Sequence, residues 1–297
     1  MTFVGVRRLE EITAPSVVTR QETGVPSSLI MGILNVTPDS FSDGGSCVDP
    51  QVAVDHGLAM VAEGAAIVDV GGETTRPGAE RTPESEEMRR VVPVVRALAD
   101  AGVAVSVDTM RASVAAACLE AGAVMINDVS GGMADSAMPQ VIAQSGALYV
   151  LMHWRGHSTT MQSAELTHYD DVVGEVCAQM LAQAGVFLEA GVAAEQIVLD
   201  PGLGFSKRAE HNWALLAGLK QVCGVGYPVL LGASRKTFLG AIDCDAQGNP
   251  SVPSERDAAS AATSLVGQEA GVWAVRVHDV RSTLAALRVG AAVRAAR

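Results

Sequence analysis

Residues 66–108 read AIVDVGGETTRPGAERTPESEEMRRVVPVVRALADAGVAVSVD, and this stretch decides the fold. It opens and closes on short apolar runs, 66–71 and 103–108. Between them, Met88, Val91, Val92, Val95 and Leu98 fall at i, i+3, i+4, i+7 and i+10, the spacing of one helix face. Runs that are apolar at nearly every position suit strands covered on both faces, as in a parallel sheet. Strand, helix, strand is then a right-handed βαβ unit. Pro93 is expected to kink this helix or mark its effective start.

The same rhythm extends in both directions. Further apolar runs occupy 29–35, 123–128, 147–153, 196–200, 228–233 and 272–278. Helical spacing recurs at Val54, Leu58 and Val61, and at Val280, Leu284, Leu287 and Ala291. Eight strands alternating with eight helices over 29–297 fit the roughly 250 residues of a (β/α)8 TIM barrel. The fold class is therefore α/β, one barrel domain. A doubly wound open sheet would favour a Gly-x-Gly-x-x-Gly turn after the first strand, which Gly32-Ile33-Leu34-Asn35 does not supply. Residues 1–28, broken by Pro15, Gly24 and Pro26, are expected to form an irregular arm, and 243–255 a surface loop.

Composition narrows the function. Apolar residues make up 48% of the 297 and charged residues 18%, which excludes a disordered chain. With 33 acidic against 21 basic residues, a net charge of −12, general nucleic-acid binding and a basic membrane-surface role are disfavoured. No uninterrupted apolar run approaches the ~18 residues of a membrane span, and 3–6 is too short for a signal-peptide core. Cytoplasmic residence is the expectation. The cysteines Cys47, Cys118, Cys177, Cys223 and Cys244 are dispersed and form no CxxC pair, so they read as reduced thiols.

In a barrel, catalytic groups gather at the C-terminal strand ends. Here the runs end in Asn35, Gly71-Gly72-Glu73, Asp108, Asn127-Asp128, His153, Asp200, Ser234-Arg235-Lys236 and Arg276-Val277-His278. Alternation puts Arg276 and His278 on one face and Val275 and Val277 on the other. Lys236 and Arg276, after the last two strands, suit a phosphate or pyrophosphate, which Arg can grip in bidentate fashion. The plainer reading is an ion-pair ring that holds the barrel together. Asp108, Asn127 and Asp200 make a weak transition-metal set but suit a flat heterocycle with an N–C–N edge. Asp108 and Asn127 could also merely cap helices. The polar loop 35–43 could act as a lid or be plain surface.

Seven stretches then show a resemblance: 35–45 (NVTPDSFSDGG), 69–78 (DVGGETTRPG), 106–109 (SVDT), 127–131 (NDVSG), 200–207 (DPGLGFSK), 234–238 (SRKTF) and 276–280 (RVHDV). In this order, at strand ends, they resemble the dihydropteroate synthase family of the folate pathway. The resemblance implies a (β/α)8 barrel, a homodimer and a transferase. It joins 4-aminobenzoate to 6-hydroxymethyl-7,8-dihydropterin pyrophosphate with Mg²⁺ as cofactor and is a target of sulfonamides. It implies that Asp108, Asn127 and Asp200 hold the pterin with Lys236 beside it. On the same resemblance Arg276 and His278 would hold the pyrophosphate, flanked by Arg235 and Val277 of the same two motifs, and Asn35 would help bind Mg²⁺. By the same resemblance Thr75, Arg76 and Ser234 would border the aminobenzoate site, Phe205 would form part of its wall, and Phe41 and Asp43 would belong to the first loop. Two rivals share part of this pattern. A methyltetrahydrofolate-binding methyltransferase barrel has no need of the cation pair, and a non-catalytic pterin-binding paralogue should have lost motif residues.

Overall fold

The computed structural model describes residues 28–37, 49–73, 81–157 and 161–297. Among these, the apolar runs form eight parallel strands: β1 (Leu29–Asn35), β2 (Ile67–Gly71), β3 (Val105–Asp108), β4 (Met125–Asp128), β5 (Leu148–Met152), β6 (Ile197–Asp200), β7 (Leu230–Leu231) and β8 (Ala274–Val277). They lie in the order β6-β5-β4-β3-β2-β1-β8-β7. The ring shuts where the first and last of that series meet. The Leu199 N–H donates to the Pro228 carbonyl at 2.8 Å, and Leu199 bridges Val229 in parallel. The chain is thus the (β/α)8 barrel that its strand–helix rhythm implies.

The helices are α1 (Pro50–Glu63), α2 (Glu84–Asp100), α3 (Ala112–Glu120), α4 (Met138–Ser145), α5 (Val172–Glu189), α6 (Ala209–Ala217), α7 (Leu219–Cys223), α8 (Thr237–Gly240), α9 (Asp257–Ala270) and α10 (Val280–Ala295). Several start where the sequence supplies a cap: Asp49, Asp171 and Asp279 each accept from a backbone N–H in the first turn of α1, α5 and α10. Alternation along each strand divides the core in two. Met31, Ile67, Met125, Leu148, Val150, Val198, Leu230 and Ala274 pack inside the barrel. Val68, Val70, Val107, Ile126, Leu151, Leu199 and Val275 face outward into the larger cluster with the helices. Each such side chain, fully buried, contributes roughly 1.5–3 kcal/mol.

Three local expectations are corrected. Pro93 does not mark the start of α2, which begins at Glu84 and continues past it. It sits on the exposed face, so its missing N–H falls where the helix meets water. The buried face of α1 is Ala53, Val54, Gly57 and Met60, while Leu58 and Val61 are exposed. Gly57 decides this: a Cβ there would stand 2.9 Å from Leu98 Cδ2, so the small residues take the closest approach to α2. The seventh run pairs with β8 over only Leu230 and Leu231; Pro228, which has no N–H to give, lies just before it. The loop over 243–255 is exposed, as expected, apart from partly buried Ser251.

Among the described residues, α5 is the one helix long and apolar enough to cross a membrane by length and composition. Here it lies on the barrel, with Val176, Met180, Ala184 and Phe187 buried and Glu175 and Gln179 bonded to Arg155 and His153.

Candidate active site

The inward-facing positions one step beyond the apolar plug are polar. On β2, Ile67 belongs to the plug and Asp69 follows it on the same face; on β8, Ala274 is followed by Arg276; on β4, Met125 is followed by Asn127. Arg276 therefore meets the carboxylates inside the ring. Its Nε donates to Asp69 Oδ2 at 2.6 Å and its Nη2 to Asp108 Oδ2 at 2.8 Å. Asn127 Nδ2 donates to the same Asp69 oxygen at 2.9 Å. Burial pushes the Asp108 carboxyl up to about 7 in spite of the Arg276 charge beside it. Burial works against the Arg276 charge too, but Asp69 and Asp108 hold its pKa above the ordinary value.

Asp69 is the residue that sequence reasoning missed. It is fully buried, and its Oδ1 has no hydrogen-bond partner. The signal was present: one carboxylate inside an otherwise apolar strand, in phase with Ile67.

The β6–β7 side of the rim is built from backbone. Asp200 Oδ1 accepts from the Gly202 N–H at 2.7 Å, and its Oδ2 lies against Gly232. Gly202 has φ +66°, and a Cβ there would meet the His153 carbonyl at 2.4 Å, so no larger residue fits. The Lys236 ammonium donates to the Leu203 carbonyl and sits 4.7 Å from the centre of the Phe205 ring. Burial lowers the Lys236 pKa to about 8, against the pull of Asp200. Burial likewise raises that of Asp200, opposed first by Lys236. Ser234 Oγ accepts from the His278 N–H at 3.2 Å and shares a 3.0 Å hydrogen bond with His278 Nδ1.

One rim thus gathers Asp108, Asn127, Asp200, Lys236 and Arg276, with Ser234 and His278 paired at its edge. Asn35, at the end of β1, registers with Gly71, beside which lies Asp108. A Cβ on Gly71 would stand 3.5 Å from Asp108 Cβ and 3.8 Å from Asn35 Oδ1, so glycine keeps the gap between them open.

Two side chains assigned to the site from sequence point elsewhere. Arg235 has φ +59°, and its guanidinium turns out to Asp257 with two 2.7 Å hydrogen bonds. Val277 is buried in the outer cluster against the helices, as alternation from Arg276 requires. Phe41, Asp43, Thr75 and Arg76 lie outside the described residues, as do Cys47 and most of the 35–43 loop. Neither Asp108 nor Asn127 caps a helix; the turn after β4 is held by Asp128, which accepts from the N–H groups of Ser130 and Gly132 and from Tyr149 Oη.

A closed barrel whose ionisable groups converge on the C-terminal rim has the form of a barrel enzyme. The family of pterin binding enzymes matches residues 31–278. The chain is 54% identical over 260 residues to dihydropteroate synthase of Mycobacterium leprae, covering 88% of this chain and 91% of that one. It also resembles the solved structure of Xanthomonas albilineans dihydropteroate synthase with 4-aminobenzoic acid, at 41% identity and TM-score 0.82, covering 90% and 93% of the two chains. Burkholderia cenocepacia dihydropteroate synthase complexed with 7,8-dihydropteroate is similar at 42% identity and TM-score 0.80, covering 91% and 92%. The chain belongs to the pterin-binding enzymes and, within them, to the dihydropteroate synthases.

Proposed function

We propose that this transferase condenses 4-aminobenzoate with 6-hydroxymethyl-7,8-dihydropterin pyrophosphate, releasing 7,8-dihydropteroate and pyrophosphate. The observation that carries this reading is Arg276 bridging Asp69 and Asp108 on the rim that also holds Asn127, Asp200 and Lys236. Asp108, Asn127 and Asp200 offer acceptors and donors for the pterin edge, with Lys236 beside it. Arg276 and His278 lie where the pyrophosphate leaves. Positive charge developing on the dihydropterin methylene is offset by the buried carboxylates, Asp108 first, which are fixed in place before the reaction. As the methylene C–O bond to pyrophosphate breaks, the aminobenzoate nitrogen forms its bond to the same carbon and gives up one N–H proton to the released pyrophosphate or to water, once the two substrates are aligned. Ser234 and Phe205 flank its site, and Thr75 and Arg76 complete that site on this reading.

Mg²⁺ belongs to the same proposal. Among the described residues, no three His, Cys, Asp or Glu side chains cluster as a metal cage. Gly71 leaves the Asn35 carboxamide oxygen and Asp108 on either side of a position without a side chain. A single amide oxygen suits an ion that keeps its waters and takes most ligands from substrate phosphates. Asn35 would hold it, and it would supply neutralising charge to the departing pyrophosphate. On this reading the enzyme is a cytoplasmic homodimer; exposed Val266, Val289 and Val293 on α9 and α10 are apolar surface that a second copy could cover. A sedimentation mass of one chain removes the dimer.

The test of the reaction is pyrophosphate release with both substrates and Mg²⁺ present. Release is expected only when all three are supplied, with 4-aminobenzoate competed by a sulfonamide. A methyltransferase barrel or an inactive paralogue would release none, and that outcome overturns the reading. Asp200→Ala should also weaken pterin binding in a calorimetric titration; unchanged affinity removes Asp200 from the site.

A further inference from the structure

Lys207 is a second buried lysine, and the reaction described above makes no use of it. Only 3% of it is exposed. Its Nζ meets three groups: His153 Nδ1 at 2.9 Å, the Gly202 carbonyl at 3.1 Å and the Phe205 carbonyl at 3.1 Å. The proton positions follow from a chain of contacts. Arg155 Nε can only donate, and it donates to Gln179 Oε1 at 3.1 Å, so that atom is an acceptor. His153 Nε2, 2.9 Å from the same Oε1, must then carry the ring proton. That leaves His153 Nδ1 as a lone pair facing Lys207. Three acceptors thus surround one ammonium with three N–H groups. They match it fully, although burial pushes its pKa well below the ordinary lysine value.

Two of those acceptors are the ends of the turn that carries the β6–β7 side of the rim. The turn needs holding at Ser206, which has φ +49° and is, with Arg235, one of the two non-glycines with positive φ among the described residues, while Gly202 and Gly204 take positive φ without steric cost. Its products are the Gly202 N–H that Asp200 accepts, the Leu203 carbonyl that Lys236 bonds, and the Phe205 ring. Outside, Tyr169 Oη donates to the Ser206 carbonyl at 3.0 Å, and Arg155 stacks 3.8 Å from the Tyr169 ring centre. Arg155 therefore braces the turn by two routes.

We propose that Lys207 is a positioning residue for this reaction. Seated on His153 by the Arg155–Gln179 contact, it locks the turn over 202–206 and so aims Lys236 and Phe205 at the substrates. The proposal rests on the dihydropteroate-forming reading of the rim, and wild-type pyrophosphate release, measured first, tests that reading separately.

With the wild type active, Lys207→Met, of similar volume and without donors, is expected to raise KM for 4-aminobenzoate at least tenfold, by more than kcat falls. A purely structural lysine would lower the fraction of active enzyme and leave KM where it was, and that result overturns the proposal. Should Lys207→Met not fold, a pair of changes at Gln179, on the outer helix, decides. Gln179→Glu keeps an acceptor for His153 Nε2–H, and Gln179→Met removes it and frees the imidazole to take the other tautomer. We expect KM for Gln179→Met to rise severalfold and that for Gln179→Glu to lie closer to wild type. Equal KM values for the two variants sink the relay.

Discussion

The two sides of the rim handle positive charge differently. On the β8–β2–β3 side, Arg276 is tied to carboxylates on two strands. On the β6–β7 side, Lys236 and Lys207 bond backbone carbonyls, and the nearby Asp200 is held by a backbone N–H. A guanidinium stays charged at any working pH and can bridge two acids with its planar fork. A buried ammonium does not stay charged so firmly, and Lys236 titrates near 8. The first side is fixed by side-chain pairing around a cation that pH does not discharge, although burial raises its Asp108 carboxyl to about 7. The second is fixed by the shape of a turn, and its charge answers to pH.

Breaking the fixed side has the largest expected effect. Arg276→Ala removes the leaving-group cation and should lower kcat by about 10³-fold, as loss of a preorganised charge stabiliser does. It also leaves buried Asp69 and Asp108 without their counter-charge. The pairing predicts a loss of about 3–5 kcal/mol in a urea titration. Near-normal turnover removes Arg276 from the site.

Asp69→Asn sharpens the same comparison. It keeps the shape and the acceptor for Asn127 but discharges the hub. Turnover should drop by about 10²-fold through a misdirected Arg276, the scale of one lost electrostatic contact. A kcat within twofold of wild type contradicts the hub role.

On the other side, Lys236→Met should weaken pterin binding about tenfold, the equivalent of one charge-assisted hydrogen bond. The wild-type affinity should itself fall as pH rises through about 8, where Lys236 loses its charge. In Lys236→Met that limb should vanish; a limb of the same size in both proteins assigns it to another group.

The smallest effect concerns Asp108 without ligand. Its folded pKa, about 7, lies above the ordinary 3.8. The stability tied to its proton is therefore complete below about 4 and lost as pH rises through 7. The difference in thermal midpoint between Asp108→Asn and wild type should move in favour of the variant from pH 5 to pH 8. A difference that stays flat, or moves the other way, shows the carboxyl already ionised beside Arg276.

Much of this was legible without coordinates. The apolar runs located all eight strands to within a few residues, because buried parallel strands need apolar side chains on both faces. The polar residues that end those runs marked the rim. Asp69 escaped because it lies inside a run and not at its end, and Arg235 was counted in because it adjoins Lys236. A positive φ, invisible in the residue order, turns it away. Nothing in the 200–207 motif gives Lys207 a role, since its partner His153 stands 54 positions earlier.

Residue order by itself determined the barrel, the end of the barrel where chemistry gathers, and the family, since each depends on periodicity or on short motifs within one strand and its loop. The tertiary structure alone decided which charges meet. Arg276 finds Asp69 across 207 positions, and Lys207 finds His153 and the two carbonyls it grips, because closing the ring brings strand ends together at hydrogen-bond distance. No local pattern encodes that convergence.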